Sequence, residues 1–194
     1  MSGDSTAVLV VDMQNGFCAE GGSLAGDRAL CARYQALATP IRQLCASART
    51  AGRRVIYTCH GYRTGYPEAG RELSTLHPEV IRANGMLWDS WDTQIIPGLA
   101  PEATDVVVKK SRFDAFLGTD LDLLLRAGDI RRLIIAGIST NVCVESTARS
   151  AAQRGYEVAV AADATAATTD TLHHAALANI AYAFATVAIW RDLL

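Results

Sequence analysis

The chain has 194 residues, 50% of them hydrophobic and 20% charged, with a formal net charge of -2. That length suits one domain over residues 1–194 with a substantial core, and the near-balanced charge offers no basic block for nucleic acid. The longest apolar stretch, Ala181 to Trp190, falls short of the ~20 residues of a membrane span, so no membrane partner is expected.

The opening segment, MSGDSTAVLVVDMQ, lacks the basic start and small-residue cleavage site of a secretory leader. Cysteines stand at Cys18, Cys31, Cys45, Cys59 and Cys143, an odd number with no C-x-x-C. They read as reduced thiols of a cytoplasmic protein.

In chain order, Ala7 to Val11 (AVLVV) predicts the first strand, ending at Asp12. A helical pattern over about 27–51, interrupted at Pro40 and stopped by Gly52, precedes a second strand at Arg54–Thr58. An irregular stretch from His60 to Pro101, rich in Gly and Pro, reads as a loop over a site. A third strand at Asp105–Lys109, a helix over 119–127, a fourth strand at Arg132–Ile138 and a helix over 141–154 follow. A strand at Glu157–Ala161, a helix over 170–183 and a strand at Ala185–Ile189 complete the pattern. Apolar runs without strict alternation suit strands covered on both faces. The expectation is an α/β fold: a three-layer, doubly wound, mostly parallel six-stranded sheet with helices on both sides.

In such folds ligands bind beyond the carboxyl ends of the strands. The first strand ends in Asp12, the third in Lys109 and Lys110, and the fourth runs through Ser139, Thr140 and Asn141 to Cys143 at a helix start. Alone, the acid reads as a turn cap and the cations as a solvated loop. Together they place an acid, an amine and a thiol on one edge of one sheet. The acid can take the thiol proton, the ammonium can stabilise developing charge, and the helix N-terminus can supply oxyanion donors. The helix start is also expected to depress the Cys143 pKa.

Competing motifs fail. Gly137-Ile138-Ser139-Thr140-Asn141 lacks the second glycine of a nucleophile elbow, and no phosphate-binding glycine loop or H-E-x-x-H occurs. His60 has no acid or second histidine at ligand spacing and reads as substrate-facing or structural. Phe17, Trp88, Trp91 and Phe116 lie in or beside loops expected over the strand ends, where Gln14 and Asn141 can orient an amide. The substrate-binding set is therefore Gln14, Phe17, His60, Trp91, Phe116 and Asn141.

The segments VLVVDMQNGF, DVVVKKSRFDAFLGTDLDLLL and AGISTNVCVESTARSAAQRGYEVAVAADA closely resemble the isochorismatase-like cysteine hydrolases, in order and over nearly the whole chain. The resemblance implies an Asp12-Lys110-Cys143 triad, with Lys110 chosen because it stands two residues before Arg112. It also implies a non-proline cis peptide between Ile138 and Ser139, and an oxyanion hole from the N–H groups of Ser139 and Cys143. Retention of the cysteine favours amide chemistry over vinyl-ether hydrolysis. Metal-binding relatives carry an Asp and histidines after the second strand. Here Thr58-Cys59-His60-Gly61-Tyr62 has no Asp, and His77, Glu68 and Glu72 are spread through a Gly- and Pro-rich segment. No metal and no cofactor are therefore expected.

The implied activity is cleavage of a C–N bond in a small carboxamide or N-carbamoyl compound through a thioester, by a homo-oligomer (dimer or tetramer). The alternatives are a nicotinamidase-type or isochorismatase-type hydrolase, or a non-catalytic redox or binding member of the fold. The C-terminal stretch AYAFATVAIWRDLL fits either a subunit interface or a final buried strand.

Overall fold

The computed structural model describes residues 5–194, except the side chain of Glu72. The first four residues of the leader reading, and Glu72 as a metal donor, lie outside the described residues. The six apolar runs form β1 (Thr6–Val11), β2 (Arg54–His60), β3 (Val106–Lys110), β4 (Arg132–Ile138), β5 (Glu157–Ala166) and β6 (Thr186–Ala188). They join in one sheet of order β3-β2-β1-β4-β5-β6, each neighbouring pair parallel. The strand order reverses at β1 and β4, and the loops leaving these two strands open a crevice between them.

The period-two alternation of a strand divides β1 between two cores. Val8 and Val10 pack with Ile41, Leu44 and Ala48 of a helix at Ala38–Thr50, on one face of the sheet. Ala7, Leu9 and Val11 pack on the other face. There they meet Leu121 and Leu125 of one helix (Leu121–Ala127), Ala148 and Ala151 of a second (Glu145–Gln153), and Ile180 of a third (Asp170–Ala183). Each fully buried Leu, Ile or Val stabilises the fold by roughly 1.5–3 kcal/mol. This is the three-layer α/β sandwich expected from the alternation.

In chain order the helices are α1 (Asn15–Cys18), α2 (Arg28–Ala36), α3 (Ala38–Thr50), α4 (Arg71–Leu76), α5 (Pro78–Arg82), α6 (Leu121–Ala127), α7 (Glu145–Gln153) and α8 (Asp170–Ala183). The long pattern expected over 27–51 breaks at Leu37, not at Pro40. Pro40 lies in the first turn of α3, where the missing N–H has no partner to lose. Two ends are capped by side chains: Asp27 accepts from Leu30 N–H and Thr169 from Leu172 N–H.

Two further elements differ from the sequence reading. β5 continues to Ala166 because its pairing with β4 slips: Ile135 pairs Val160, yet Gly137 pairs Thr165. The 61–101 excursion is not bare loop but carries α4, α5 and two single 3-10 turns. It has a small core of its own, in which Tyr62, Leu73, Val80 and Met86 are buried. The C-terminal stretch supplies the end of α8 and the edge strand β6. Among the described residues no helix is long and apolar enough to cross a membrane.

Candidate active site

The chain leaves β1 at Asp12 in a left-handed conformation, φ 52°, which Asp tolerates better than most residues. Its N–H donates to the Thr58 carbonyl and Oγ1, both at 3.2 Å, and Thr58 Oγ1 donates back to Asp12 Oδ1 at 2.7 Å. One carboxylate oxygen is thereby fixed to β2, and Oδ2 meets Lys110 Nζ at 2.7 Å. Both side chains are essentially inaccessible to water.

Lys110 closes β3, and its ammonium reaches under β2. Nζ donates to the Arg112 carbonyl at 2.9 Å and to Cys143 Sγ at 3.6 Å. Burial alone would lower the Lys110 pKa, but the Asp12 carboxylate outweighs it and the pKa lies above the ordinary value. The amine is therefore held as an ammonium. Lys109, one residue back, points to the other face by strand alternation, lying over the Trp88 ring and 3.4 Å from Asp89.

Cys143 sits in a π-type turn, Thr140–Val144, reached through the cis peptide Ile138–Ser139. The π-type turn runs without a break into α7 (Glu145–Gln153), Val144 itself being right-handed helical, so Cys143 does lie in the first turn of one continuous helical run. Burial pushes the thiol pKa up, Lys110 pulls it down, and Asp12 adds a further upward push. Desolvation is the largest of these, and the net shift is upward. The direction is opposite to the depression expected from the helix start, because burial of the sulfur is the largest of the influences acting on it.

A cavity of about 370 Å³ opens in front of Cys143, lined by Asp12, Phe17, Tyr34, His60, Tyr62, Phe113, Ser139 and Val142, with Leu73, Leu76 and His77 from the end of α4. The excursion after β2 thus does cover the strand ends. Of the sequence-predicted residues, Asp12, Phe17, His60, Ser139 and Cys143 line this cavity. Lys110 stands directly behind it.

Four expected substrate contacts are placed elsewhere. Gln14 is completely buried and fully bonded: Nε2 donates to the His60 and Thr93 carbonyls and Oε1 accepts the His60 N–H. It ties β1 to β2 and has no amide group to spare. Phe116 stacks on Tyr156 within the helical core. Trp91 is 48% exposed in a 3-10 turn and contributes its carbonyl to Asn15 Nδ2. Asn141 lies in the π-type turn, outside the cavity wall.

Sequence reasoning missed Thr58, Tyr34, Tyr62 and Phe113. Thr58 had a readable signal, since it stands at the end of β2 beside Asp12. The aromatics had none, because helix α2 and two separate loops bring them together.

His60 is buried between Phe17 and Phe113, its ring 6.2 and 6.3 Å from theirs. Nε2 shares a hydrogen bond with Tyr62 Oη at 2.9 Å, and Lys110 Nζ lies 3.4 Å from Nδ1. Burial, then repulsion by Lys110, holds its pKa well below the ordinary value of 6.5. The unfolded chain therefore binds more protons below that pH, so stability is full above 6.5 and falls as the medium is acidified. For this one group the loss reaches about 1.4 kcal/mol per pH unit. Urea unfolding at stepped pH is expected to show a shallower acid slope for His60→Asn than for the parent chain. Identical slopes would show that His60 takes up its proton without cost.

Other potential metal donors are engaged elsewhere: Glu68 with Arg63, and His77 with Glu79. Among the described residues no three of His, Cys, Asp or Glu converge on one point.

The family model described as Isochorismatase domain matches residues 6–192. A ureidoacrylate amidohydrolase RutB of Stutzerimonas stutzeri is 38% identical over 192 residues, spanning 93% of this chain and 77% of its own length. A cysteine hydrolase from Pseudomonas syringae pv. phaseolicola superposes with a TM-score of 0.89 at 34% identity, covering 97% of this chain and 90% of that one. An N-carbamoylsarcosine amidase from Thermoplasma acidophilum gives 0.75 at 29% identity, covering 95% and 96%. On the match of the family model across residues 6–192 and the 38% identity to the Stutzerimonas stutzeri relative, the chain belongs to the isochorismatase family.

Proposed function

We propose that the protein is a cysteine-dependent amidohydrolase cleaving the C–N bond of a small carboxamide or N-carbamoyl compound. The observation that carries the reading is the buried contact chain Asp12–Lys110–Cys143 at the floor of the cavity, with separations of 2.7 and 3.6 Å. Similarity to relatives named as amidohydrolases and amidases supports it.

In this mechanism Cys143 Sγ bonds to the amide carbon as its proton passes to Asp12, while Lys110 stabilises the sulfur as charge develops. The N–H groups of Ser139 and Cys143 hold the resulting oxyanion. Collapse of the tetrahedral species breaks the C–N bond, and the proton on Asp12 leaves with the amine or ammonia. The thioester is then attacked by water, which gives a proton to Asp12, and cleavage of the C–S bond returns that proton to sulfur as the acid departs.

The nucleophile and oxyanion donors are all protein groups, so the proposal needs no Lewis acid. Ammonia release, screened over carboxamides, N-carbamoyl amino acids and ureido acids, is expected to be undiminished after exhaustive chelation. Loss of activity in EDTA, restored by zinc, iron or manganese, would support a nicotinamidase-type metal enzyme instead. A cytoplasmic homo-oligomer completes the proposal. The five cysteines are free and buried, and Tyr182 and Leu172 leave apolar surface on α8 that a second copy can cover.

A further inference from the structure

The cavity wall has a chemical character that the reacting residues do not set. Among the described residues no lysine or arginine side chain lines it. Much of the surface comes from Phe17, Leu30, Tyr34, Leu73, Phe113 and Val142. Polar tips in the wall are turned toward one another, Tyr34 Oη to Ser139 Oγ at 2.9 Å and His60 Nε2 to Tyr62 Oη at 2.9 Å. His60 supplies no positive charge, since burial and Lys110 keep it neutral. Basic groups nearby are engaged: His77 at the rim with Glu79, Lys110 with Asp12, Arg112 with the Glu68 and Ser111 carbonyls, Arg63 with Glu68, and Lys109 with Asp89 and Trp88. A carboxylate entering this space would lose its hydration, find each basic group around it already engaged and approach Asp12. An unpaired charge in such surroundings is strongly disfavoured, whereas an apolar group gains by leaving water. The volume, about 370 Å³, has room for a single ring or a short branched chain.

We infer that the substrate is an amide with an uncharged, apolar acyl group, aromatic or branched aliphatic, and that the cavity selects against a carboxylate on that group. The inference rests on the amidohydrolase reading for the reaction but on the wall alone for the selection. It separates this chain from relatives named for ureidoacrylate and N-carbamoylsarcosine, whose acyl or amino portions carry a carboxylate.

The test uses a size-matched pair, 4-isopropylbenzamide and 4-carbamoylbenzoate. The neutral amide is expected to show about tenfold or greater kcat/KM; equal values or preference for the carboxylate would overturn the inference. Leu76 lines the rim and is 68% exposed, so Leu76→Arg places a cation there without disturbing the core. This variant is expected to move the ratio about tenfold toward the carboxylate; an unchanged ratio counts against selection by the wall. Calorimetric binding of both compounds to Cys143→Ala reads the same preference without turnover. Tighter binding of the neutral compound with no hydrolysis by the parent enzyme would sink the proposed reaction and keep the selection. Equal binding, tighter binding of the carboxylate, or binding of neither would sink the selection itself.

Discussion

Replacing Cys143 by alanine is expected to lower amide turnover by about 10⁴-fold or more, since it removes the atom that forms the covalent intermediate. The side chain is small and sits at the cavity floor beside Val142, so stability is expected to change by no more than about 1 kcal/mol. Ammonia release and thermal unfolding on the same preparation distinguish the two effects. The loss should fall on kcat, because the apolar wall that binds the acyl group is intact. A variant that kept turnover within tenfold would rule out the thioester route, since Asp12 and water alone would then be sufficient. The buried pair Asp12–Lys110 is untouched by this substitution and goes on satisfying its own charges, which is why a large effect on rate can accompany a small one on folding.

The largest expected effect on stability lies at Gly137. A β-carbon there would stand 2.1 Å from the Val11 carbonyl oxygen and 2.7 Å from the Val11 nitrogen. Both are main-chain atoms of a central strand, paired on one side with β2 and on the other with β4, and neither can yield as a flexible side chain would. The φ of +108° adds a conformation that L-residues rarely adopt. Gly137→Ala is expected to cost about 4 kcal/mol or more, read as a lower urea midpoint or as failure to yield folded protein. Gly52 makes the comparison informative: its φ is +72° but nothing lies within 4 Å of the site of a β-carbon. Alanine at Gly52 is expected to cost only about 1 kcal/mol, the backbone penalty without the clash. Equal losses at the two positions would show that conformation, not the close approach of β4 to β1, is the cause. Because Ser139 and Cys143 follow directly, a Gly137→Ala protein that folds is also expected to lose activity.

The residues legible in advance share one property: their positions depend on short local patterns and on the closure rules of a parallel sheet. Asp12, Lys110 and the loop to Cys143 each follow an apolar run. Parallel strands put every run's end on one edge, so the three can converge without knowledge of any side-chain contact. Phe17 and His60 were legible for the same reason. Trp91, Phe116, Gln14 and Asn141 were not, because each could turn toward the cavity or away from it. Gln14 turned to bind three backbone groups around His60 and Thr93, a network that exists only once β1, β2 and the excursion have packed. Phe116 found Tyr156 in the helical core, a partner forty residues further along the chain.

By itself the sequence determined the strand and helix alternation, the α/β class, and the acid, amine and thiol at the strand ends. These follow from hydrophobic periodicity and from residue type at the end of each run. The tertiary structure alone decided the dehydration of Cys143 and His60 and the apolar wall in front of them. Those properties depend on how much water is excluded from each group. Exclusion is the work of α2, α4 and the loops after β2 and β3, segments distant in sequence whose packing no local pattern encodes.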